Sequence, residues 1–151
     1  FPGRFEIIKF KVQSSKFKVI LDGAHNPTKM KAFLTTLKKL YPKERRIFVV
    51  GFKFDKDEKK MLRQILQVAD SIIITEFHGK TDMSVSASAE AESIKYKVLS
   101  SKYRGEIIVE ENSKKAFNLA LNILISQYPN IPAIIAVTGS LYLVGEIRSM
   151  L

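Results

Sequence analysis

The sequence predicts an α/β fold, a Rossmann-like and mainly parallel sheet of about six strands with helices on both faces. Short β-branched or apolar runs alternate with longer segments in which apolar residues recur every three or four positions, the spacing of a helix with one buried face. Strands that alternate with helices in this way form parallel sheets covered on both sides. The 151 residues, of which 46% are hydrophobic, suit one domain, and we predict that residues 1–151 form it.

Each element follows from its pattern and its boundaries. The helix after Asn26 is the clearest, because Asn is a strong N-cap and Pro27 suits the first helical position. The predicted strands are Phe5–Val12, Phe17–Leu21, Arg46–Val50, Ser71–Thr75, Ile107–Val109 and Ala133–Val137. The predicted helices are Pro27–Leu40, Asp57–Val68, Ser86–Ser101, Ser113–Ser126 and Leu141–Leu151.

The net charge of +10 favours anionic partners, because Lys and Arg outnumber Asp and Glu by 25 to 15. A solvated, lysine-rich surface explains the excess equally well, since the lysines are spread over polar helix faces. No RNA-recognition aromatic motif, Gly-X-X-Gly loop of the KH type or zinc-finger spacing accompanies them, which argues against nucleic acid as a partner.

Other classes are excluded more simply. No apolar run approaches eighteen residues, so the sequence predicts no membrane span. The first residues lack the apolar region of a secretion signal, and we expect a cytoplasmic protein. The absence of cysteine excludes disulfides and thiolate metal sites, and no His-Glu-X-X-His spacing occurs, so we predict no metal ligand in this chain.

The segment Asp22-Gly-Ala-His-Asn-Pro27 carries the strongest indication of chemistry. It places a carboxylate at the end of a buried strand, next to the start of a helix, where free N–H groups and the helix dipole favour anions such as nucleotides. An ordinary strand-to-helix turn with a capped helix would leave the same pattern. Ser140 also follows a strand, and in a parallel sheet both residues would lie along the edge where ligands bind.

Two further patterns are weaker. His78-Gly-Lys-Thr81 ends like a phosphate-binding loop, but Ile74 stands where that motif requires its first Gly. By residue type alone, Ser140, His25 and Asp22 could form a hydrolase triad, yet no Gly-X-Ser-X-Gly elbow surrounds the serine. We interpret the first as a loop and rank hydrolase chemistry last.

Three segments together resemble the folylpolyglutamate synthase and dihydrofolate synthase family of the Mur ligase superfamily. The segment at 22–27 is similar to the signature that opens the C-terminal domain of that family. Phe1-Pro-Gly-Arg-Phe-Glu6 resembles the segment that leads into this domain, and Val137-Thr-Gly-Ser-Leu-Tyr-Leu-Val-Gly145 resembles one near its end. They occur in the family's order and at about its spacing, so the resemblance spans the whole chain.

The resemblance implies an ATP-dependent ligase that activates a folate carboxylate as an acyl phosphate, which the amino group of L-glutamate then attacks. It also implies that this chain is the C-terminal domain alone. The N-terminal P-loop ATPase domain, which holds the ATP phosphates and Mg²⁺, is absent from this chain and would be its partner in the same protein. The chain alone is therefore expected to be inactive, and its cofactors, ATP and Mg²⁺, to be held mainly by the missing domain.

The resemblance also implies roles for individual residues, by their positions in the matching segments. Asp22 and Arg4 align with family positions that meet the nucleotide, and a guanidinium suits phosphate oxygens because of its planar fork. His25 and Asn26 complete the expected nucleotide-binding set, although a structural His and a helix-capping Asn explain them too. The expected amino-acid site contains Ser140, which would equally serve as a helix cap, together with the residues His78 and Lys80.

One departure affects the amino-acid site. Relatives carry an arginine-bearing stretch after the fourth strand, whereas this chain has Phe77-His-Gly-Lys-Thr-Asp-Met-Ser84 without an arginine. Lys80 or His78 must substitute, or the amino acid is not glutamate. Two alternatives stay open: a freestanding nucleotide- or anion-binding module without catalysis, and a Mur-type amino-acid ligase domain, whose turn has another residue where this chain has Gly23.

Overall fold

The computed structural model describes residues 3–12, 15–53, 57–78, 90–91, 103 and 105–151. Within them the strands are β1 (Glu6–Val12), β2 (Ser15–Asp22), β3 (Arg45–Val50), β4 (Ser71–Ile74), β5 (Glu106–Val109) and β6 (Ala133–Thr138). The helices are α1 (Pro27–Leu40), α2 (Glu58–Leu66), α3 (Ser113–Gln127) and α4 (Leu141–Arg148).

The six strands form one sheet in the order β1-β2-β6-β3-β4-β5. The four pairings from β2 to β5 are parallel, and β1 pairs antiparallel with β2 as a hairpin, with Glu6 opposite Leu21 and Val12 opposite Ser15. The mainly parallel sheet expected from the sequence is confirmed. The strand β6 lies between β2 and β3, so a late segment of the chain forms the centre of the sheet.

Helices cover both faces of this sheet. Alternate residues of a strand point to opposite faces, so Ile20 packs in one core beneath α1 and α2, whereas Val19 and Leu21 pack in the other beneath α3 and α4. The central strand β6 is buried throughout, and β3 is buried from Ile47 to Val50. This two-sided burial explains why residues 47–50 and 133–137 are continuous apolar runs.

Several boundaries differ from the predicted ones for local reasons. The strand β1 begins at Glu6 and not at Phe5, because Phe5 has a positive φ of 41°. The helix α4 ends at Arg148 and does not reach Leu151, since the last residues turn into tighter i to i+3 bonds from Met150 to Ile147 and from Leu151 to Arg148. The predicted helix Ser86–Ser101 falls, apart from residues 90 and 91, outside the described residues.

Candidate functional site

The turn after β2 is built around the carboxylate of Asp22. Its Oδ1 accepts the backbone N–H of Ala24 at 2.8 Å, and its Oδ2 accepts the backbone N–H of Phe5 at 2.9 Å. Partial burial raises the pKa of this carboxyl above its ordinary value, and the two N–H groups oppose that rise only in part. The side chain therefore joins two segments that are seventeen residues apart in the sequence.

The segment Gly3-Arg4-Phe5 is held in a strained conformation by this bond. Gly3 has a φ of 82° and its carbonyl accepts the N–H of Gly23 at 2.7 Å. The positive φ of Phe5 is uncommon for a residue other than glycine, and such strain persists only where surrounding contacts over-determine it. Here the contacts are the Asp22 carboxylate and an edge-to-face packing of the Phe5 ring on Phe33 of α1, with 5.6 Å between ring centroids.

Leu141, the first residue of α4, packs against the same turn. A Cβ atom on Gly23 would lie 2.3 Å from Leu141 Cδ2, and one on Gly3 would lie 2.8 Å from it. Both glycines therefore leave space for the leucine. The side chain of Leu141 is nevertheless exposed, at 53%. It separates two surface depressions and lines both of them.

On one side of Leu141 lies the α1 groove, a cavity of about 390 Å³ bounded by residues 3–5, the turn at 22–25 and one side of α1. Arg4 and Lys29 are exposed in its lining, and Asp22 is the one acidic residue among the described lining residues. His25 Nδ1 lies 3.0 Å from the Gly23 carbonyl oxygen. Since that oxygen can only accept, Nδ1 donates and Nε2 is left for another partner.

Asn26 and Ser140 both act as helix caps. The Asn26 side chain accepts the N–H of Lys29 at 2.8 Å at the start of α1, and Ser140 Oγ accepts the N–H of Tyr142 at 3.1 Å at the start of α4. The pairing of Asp22 with Thr138 in neighbouring parallel strands places both caps at the carboxyl edge of the sheet. The expectation that Asp22 and Ser140 share this edge is confirmed, while a role for either in ligand binding stays a prediction.

On the other side of Leu141 lies the α3–α4 cavity, of about 870 Å³, between the start of α3, the outer side of α4 and His78. Glu146 of α4 connects two other walls of this cavity to the helix by hydrogen bonds. Its Oε1 accepts the hydroxyl of Ser113 at 2.7 Å, and its Oε2 accepts the backbone N–H of His78 at 2.6 Å. The rings of Phe77 and Tyr142 stack with centroids 6.0 Å apart, so the segment after β4 is fixed to α4 by two contacts.

The structure separates the expected site residues into two sets. Asp22, His25 and Arg4 line the α1 groove, with Asn26 adjacent to it, whereas His78 lines the α3–α4 cavity. Lys80 lies outside the described residues. Sequence reasoning missed Glu146, although the stripe Leu141, Gly145 and Ser149 at intervals of four residues marks the side of α4 that lines the cavity.

A divalent cation finds no ready ligand set in the described part of the chain. No group of three or more His, Asp or Glu side chains comes together there, and both oxygens of Asp22 accept backbone N–H groups. We therefore assign no magnesium ligand to these residues. Among the same residues, no helix is long and apolar enough to cross a membrane.

A family model described as the C-terminal domain of dihydrofolate synthetase matches residues 5–150. Two curated relatives match nearly the whole chain. Dihydrofolate synthetase of Saccharomyces cerevisiae is 28% identical over 97% of this chain and 34% of its own length, and folylpolyglutamate synthase of Lacticaseibacillus casei is 26% identical over 99% and 29%. The chain thus spans about a third of the length of the curated relatives it matches.

Solved structures and a third curated relative extend this picture. Folylpolyglutamate synthase of Mycobacterium tuberculosis, solved with ADP and AMPPCP, has the same fold with a TM-score of 0.79 and 23% identity, and this chain covers 32% of it. The Thermotoga maritima folylpolyglutamate synthase has a TM-score of 0.71 and 27% identity, with 30% of it covered. UDP-N-acetylmuramoyl-L-alanyl-D-glutamate--2,6-diaminopimelate ligase of Aquifex aeolicus is 31% identical over 81% of this chain and 24% of its own length.

The match over residues 5–150 includes the strained Gly3-Arg4-Phe5 junction in part and the Asp22 turn and the start of α4 in full. The relatives are named as synthases and ligases, and the fold is shared with the folylpolyglutamate synthases of known structure. This chain belongs to the dihydrofolate synthetase C-terminal domain family, which is related to the Mur ligases.

Proposed function

We propose that this chain is the C-terminal domain of an ATP-dependent ligase that joins L-glutamate to a folate through an acyl phosphate. One observation carries the proposal beyond family membership. The Asp22 carboxylate accepts the backbone N–H groups of Ala24 and Phe5, and so brings residues 3–5 and the turn at 22–25, parts of two segments that resemble the family, into one groove. A strained junction of this kind is characteristic of functional sites.

The charges of the α1 groove suit the phosphate side of a nucleotide. The guanidinium of Arg4 and the ammonium of Lys29 supply positive charge, while His25, whose Nδ1 donates to the Gly23 carbonyl, leaves Nε2 as an acceptor for a hydroxyl of the ligand. Asp22 serves mainly as the structural link, because both of its oxygens are engaged. In this proposal the nucleotide lies against Arg4, and the helix dipole favours its phosphates at the start of α1.

The reaction divides between two domains. The γ-phosphoryl group of ATP passes to the folate carboxylate, and the amino group of glutamate displaces phosphate from the acyl phosphate to form the amide. In the proposal an N-terminal P-loop ATPase domain of the same protein holds the triphosphate and Mg²⁺, while this domain closes over the nucleotide and positions the amino acid near Ser140 and His78, with Lys80 as a further contact. The domain alone then does not turn over ATP.

The test uses the full-length protein that carries this segment. We expect ADP release that requires both a folate or pteroate acceptor and L-glutamate, with a product whose mass increases by one glutamyl residue. Arg4→Ala should raise the KM for ATP about tenfold, the effect of one charged hydrogen bond. Arg63→Ala is the matched control, because Arg63 is exposed on α2 and lines neither cavity.

Other outcomes identify the alternatives. Nucleotide binding without ligation to any acceptor would indicate a binding module that lacks catalysis. Ligation that requires a muramoyl peptide acceptor would indicate a Mur-type enzyme. Equal KM values for ATP in wild type and Arg4→Ala would remove Arg4 from the nucleotide site.

A further inference from the structure

The hairpin of β1 and β2 places four lysines together on one face of the sheet. Its register sets Lys9 directly opposite Lys18 and Lys11 directly opposite Lys16. Because alternate residues of a strand share a face, all four lie on the face that α1 covers further along, and we call this group the lysine face. Like charges directly opposite each other destabilise a hairpin. The folding of this domain therefore does not explain the two facing pairs.

No acidic side chain of β1 or β2 neutralises the lysine face. Glu6 lies on the opposite face of β1, where it accepts a hydrogen bond from Arg148. Asp22 lies at the far end of β2, and both of its oxygens accept backbone N–H groups. The positive charge of the lysine face is thus directed outward.

The end of α1 adds to this charge. The ammonium of Lys18 lies 5.2 Å from the centre of the Tyr41 ring, and Tyr41 is the residue that caps the end of α1. The last turn of this helix contains Lys38 and Lys39, and both are exposed. The lysine face and the end of α1 therefore form one basic surface that complements an anionic partner.

The strand β1 is also an edge of the sheet. No other described strand pairs with its outer side, so a row of backbone N–H and C=O groups there can pair with an added strand. Ile7 lies on the same face of β1 as Lys9 and Lys11, and it is 45% exposed although it is apolar. The edge therefore offers backbone hydrogen bonds, one apolar contact and two cations in a row.

A second copy of the chain does not fit this edge. Another β1 strand would bring further lysines to a face that already carries four, and lysines on an edge strand prevent such pairing. This protection requires lysines on β1 alone. Lys16 and Lys18 lie on β2, which is an interior strand between β1 and β6, so edge protection does not account for them.

Nucleic acid also fits this surface poorly. Single-stranded nucleic acid is held by bases that stack on exposed aromatic rings. Tyr41, the ring beside Lys18, is buried, and Phe10 and Phe17 of the hairpin pack in the core on the other side of the sheet. The surface provides charge and a strand edge without a stacking platform, which favours a peptide.

We propose that the β1 edge and the lysine face bind an acidic peptide segment of a partner protein, which adds to the sheet as a strand beside β1. Acidic residues at alternate positions face Lys9 and Lys11, because alternate residues of any strand recur at about 7 Å. An apolar residue of the peptide faces Ile7. The inference is independent of the ligase function, since no residue of the lysine face lines the α1 groove or the α3–α4 cavity.

Calorimetric titration of the full-length protein tests this surface. The probe is a synthetic peptide of about eight residues, a common strand length, in which glutamate alternates with threonine. Combining Lys9→Gln with Lys11→Gln should raise the Kd about tenfold, because two facing ion pairs are lost. Lys59→Gln with Lys60→Gln is the matched control, since both lysines are exposed on α2, and its Kd should equal that of wild type.

Stability separates binding from a structural role. The thermal midpoint of the Lys9→Gln, Lys11→Gln variant should stay constant or rise, because the substitutions remove both facing like-charge pairs. Ligation by the full-length protein should be unchanged in this variant. No binding of the peptide by wild type, or equal Kd values for wild type and the folded variant, would overturn the proposal.

A second peptide tests the mode of binding. Proline replaces the central threonines, so the charge is kept while backbone N–H donors are lost, and the Kd should rise about fivefold. Equal affinities for the two peptides would contradict strand addition. Binding of a single-stranded oligothymidylate more tightly than the acidic peptide would identify a nucleic-acid surface and overturn the choice of a peptide.

Discussion

The α1 groove and the α3–α4 cavity meet at Leu141 but differ in how their charges are used. In the groove the one described carboxylate, Asp22, accepts two backbone N–H groups, so the outward charge comes from Arg4 and Lys29. In the cavity the one described carboxylate, Glu146, likewise accepts two hydrogen bonds, from Ser113 and His78, but Lys114 is the one Lys or Arg among the described lining residues. The groove, with two such cations, therefore suits an anion better than the cavity does, although both lie at the carboxyl edge of one sheet.

The largest effect should follow a change in the turn that leads to Leu141, where the two regions meet. Gly139 connects β6 to α4 with a φ of 109°, and a Cβ there would lie 2.3 Å from the carbonyl oxygen of Gly51. Gly139→Ala should lower the free energy of unfolding by about 3 kcal/mol, through backbone strain and a clash with backbone. Chemical unfolding measures this, with Gly145→Ala as the control that should not destabilise, because a Cβ atom there would meet no described atom within 4 Å. Equal stabilities would contradict the described turn.

The second-largest effect on stability should come from a change in the α1 groove, and its effect on kinetics should be confined to that groove. Asp22→Ala leaves the N–H groups of Phe5 and Ala24 without their acceptor and should cost about 1–3 kcal/mol of stability. It should raise the KM for ATP more than that for the amino acid. Asp22→Asn retains one acceptor oxygen and should have an intermediate effect on unfolding. A larger effect on the amino acid would show that the two regions are not separate.

The two N-cap residues should distinguish the α1 groove from the α3–α4 cavity, with a smaller loss of stability. Asn26→Ala and Ser140→Ala each remove an N-cap and should each lower stability by about 1 kcal/mol. Because Asn26 begins α1 and Ser140 begins α4, the first should affect the KM for ATP and the second the KM for the amino acid. Steady-state kinetics of both variants tests this. If both variants change the two KM values in the same way, both residues act as helix caps alone.

The smallest effect is on the pH dependence of stability. Burial raises the pKa of Asp22, so the native state binds more protons than the unfolded state above pH 3.8 and stability falls as pH rises through that window. The hydrogen bond from Arg148 lowers the pKa of Glu6 below 4.5, so stability there is lost as pH falls through the lowered value. Thermal midpoints of Asp22→Asn and Glu6→Gln, measured from about pH 3 to 6, should deviate from wild type in opposite directions.

The candidate site was predictable where its signals are local. Asn26, Pro27 and Ser140 mark helix starts through chemistry within three residues, and all three take the expected positions. The position of Asp22 at the end of a strand marks it as a site residue. Its hydrogen bond with Phe5 does not follow from the sequence, since no local pattern connects residues seventeen positions apart. Glu146 does not stand out in the sequence for the same reason, because its partners Ser113 and His78 lie outside α4.

The sequence by itself determined the α/β class, the order of the described elements and most of their limits, because hydrophobic periodicity and caps act over a few residues. Only the tertiary structure decided that β1 runs antiparallel, that β6 is central, and that Leu141 stands between two cavities. Strand order and side-chain partners depend on contacts between distant segments, and the energy of such contacts exists only once the sheet has formed.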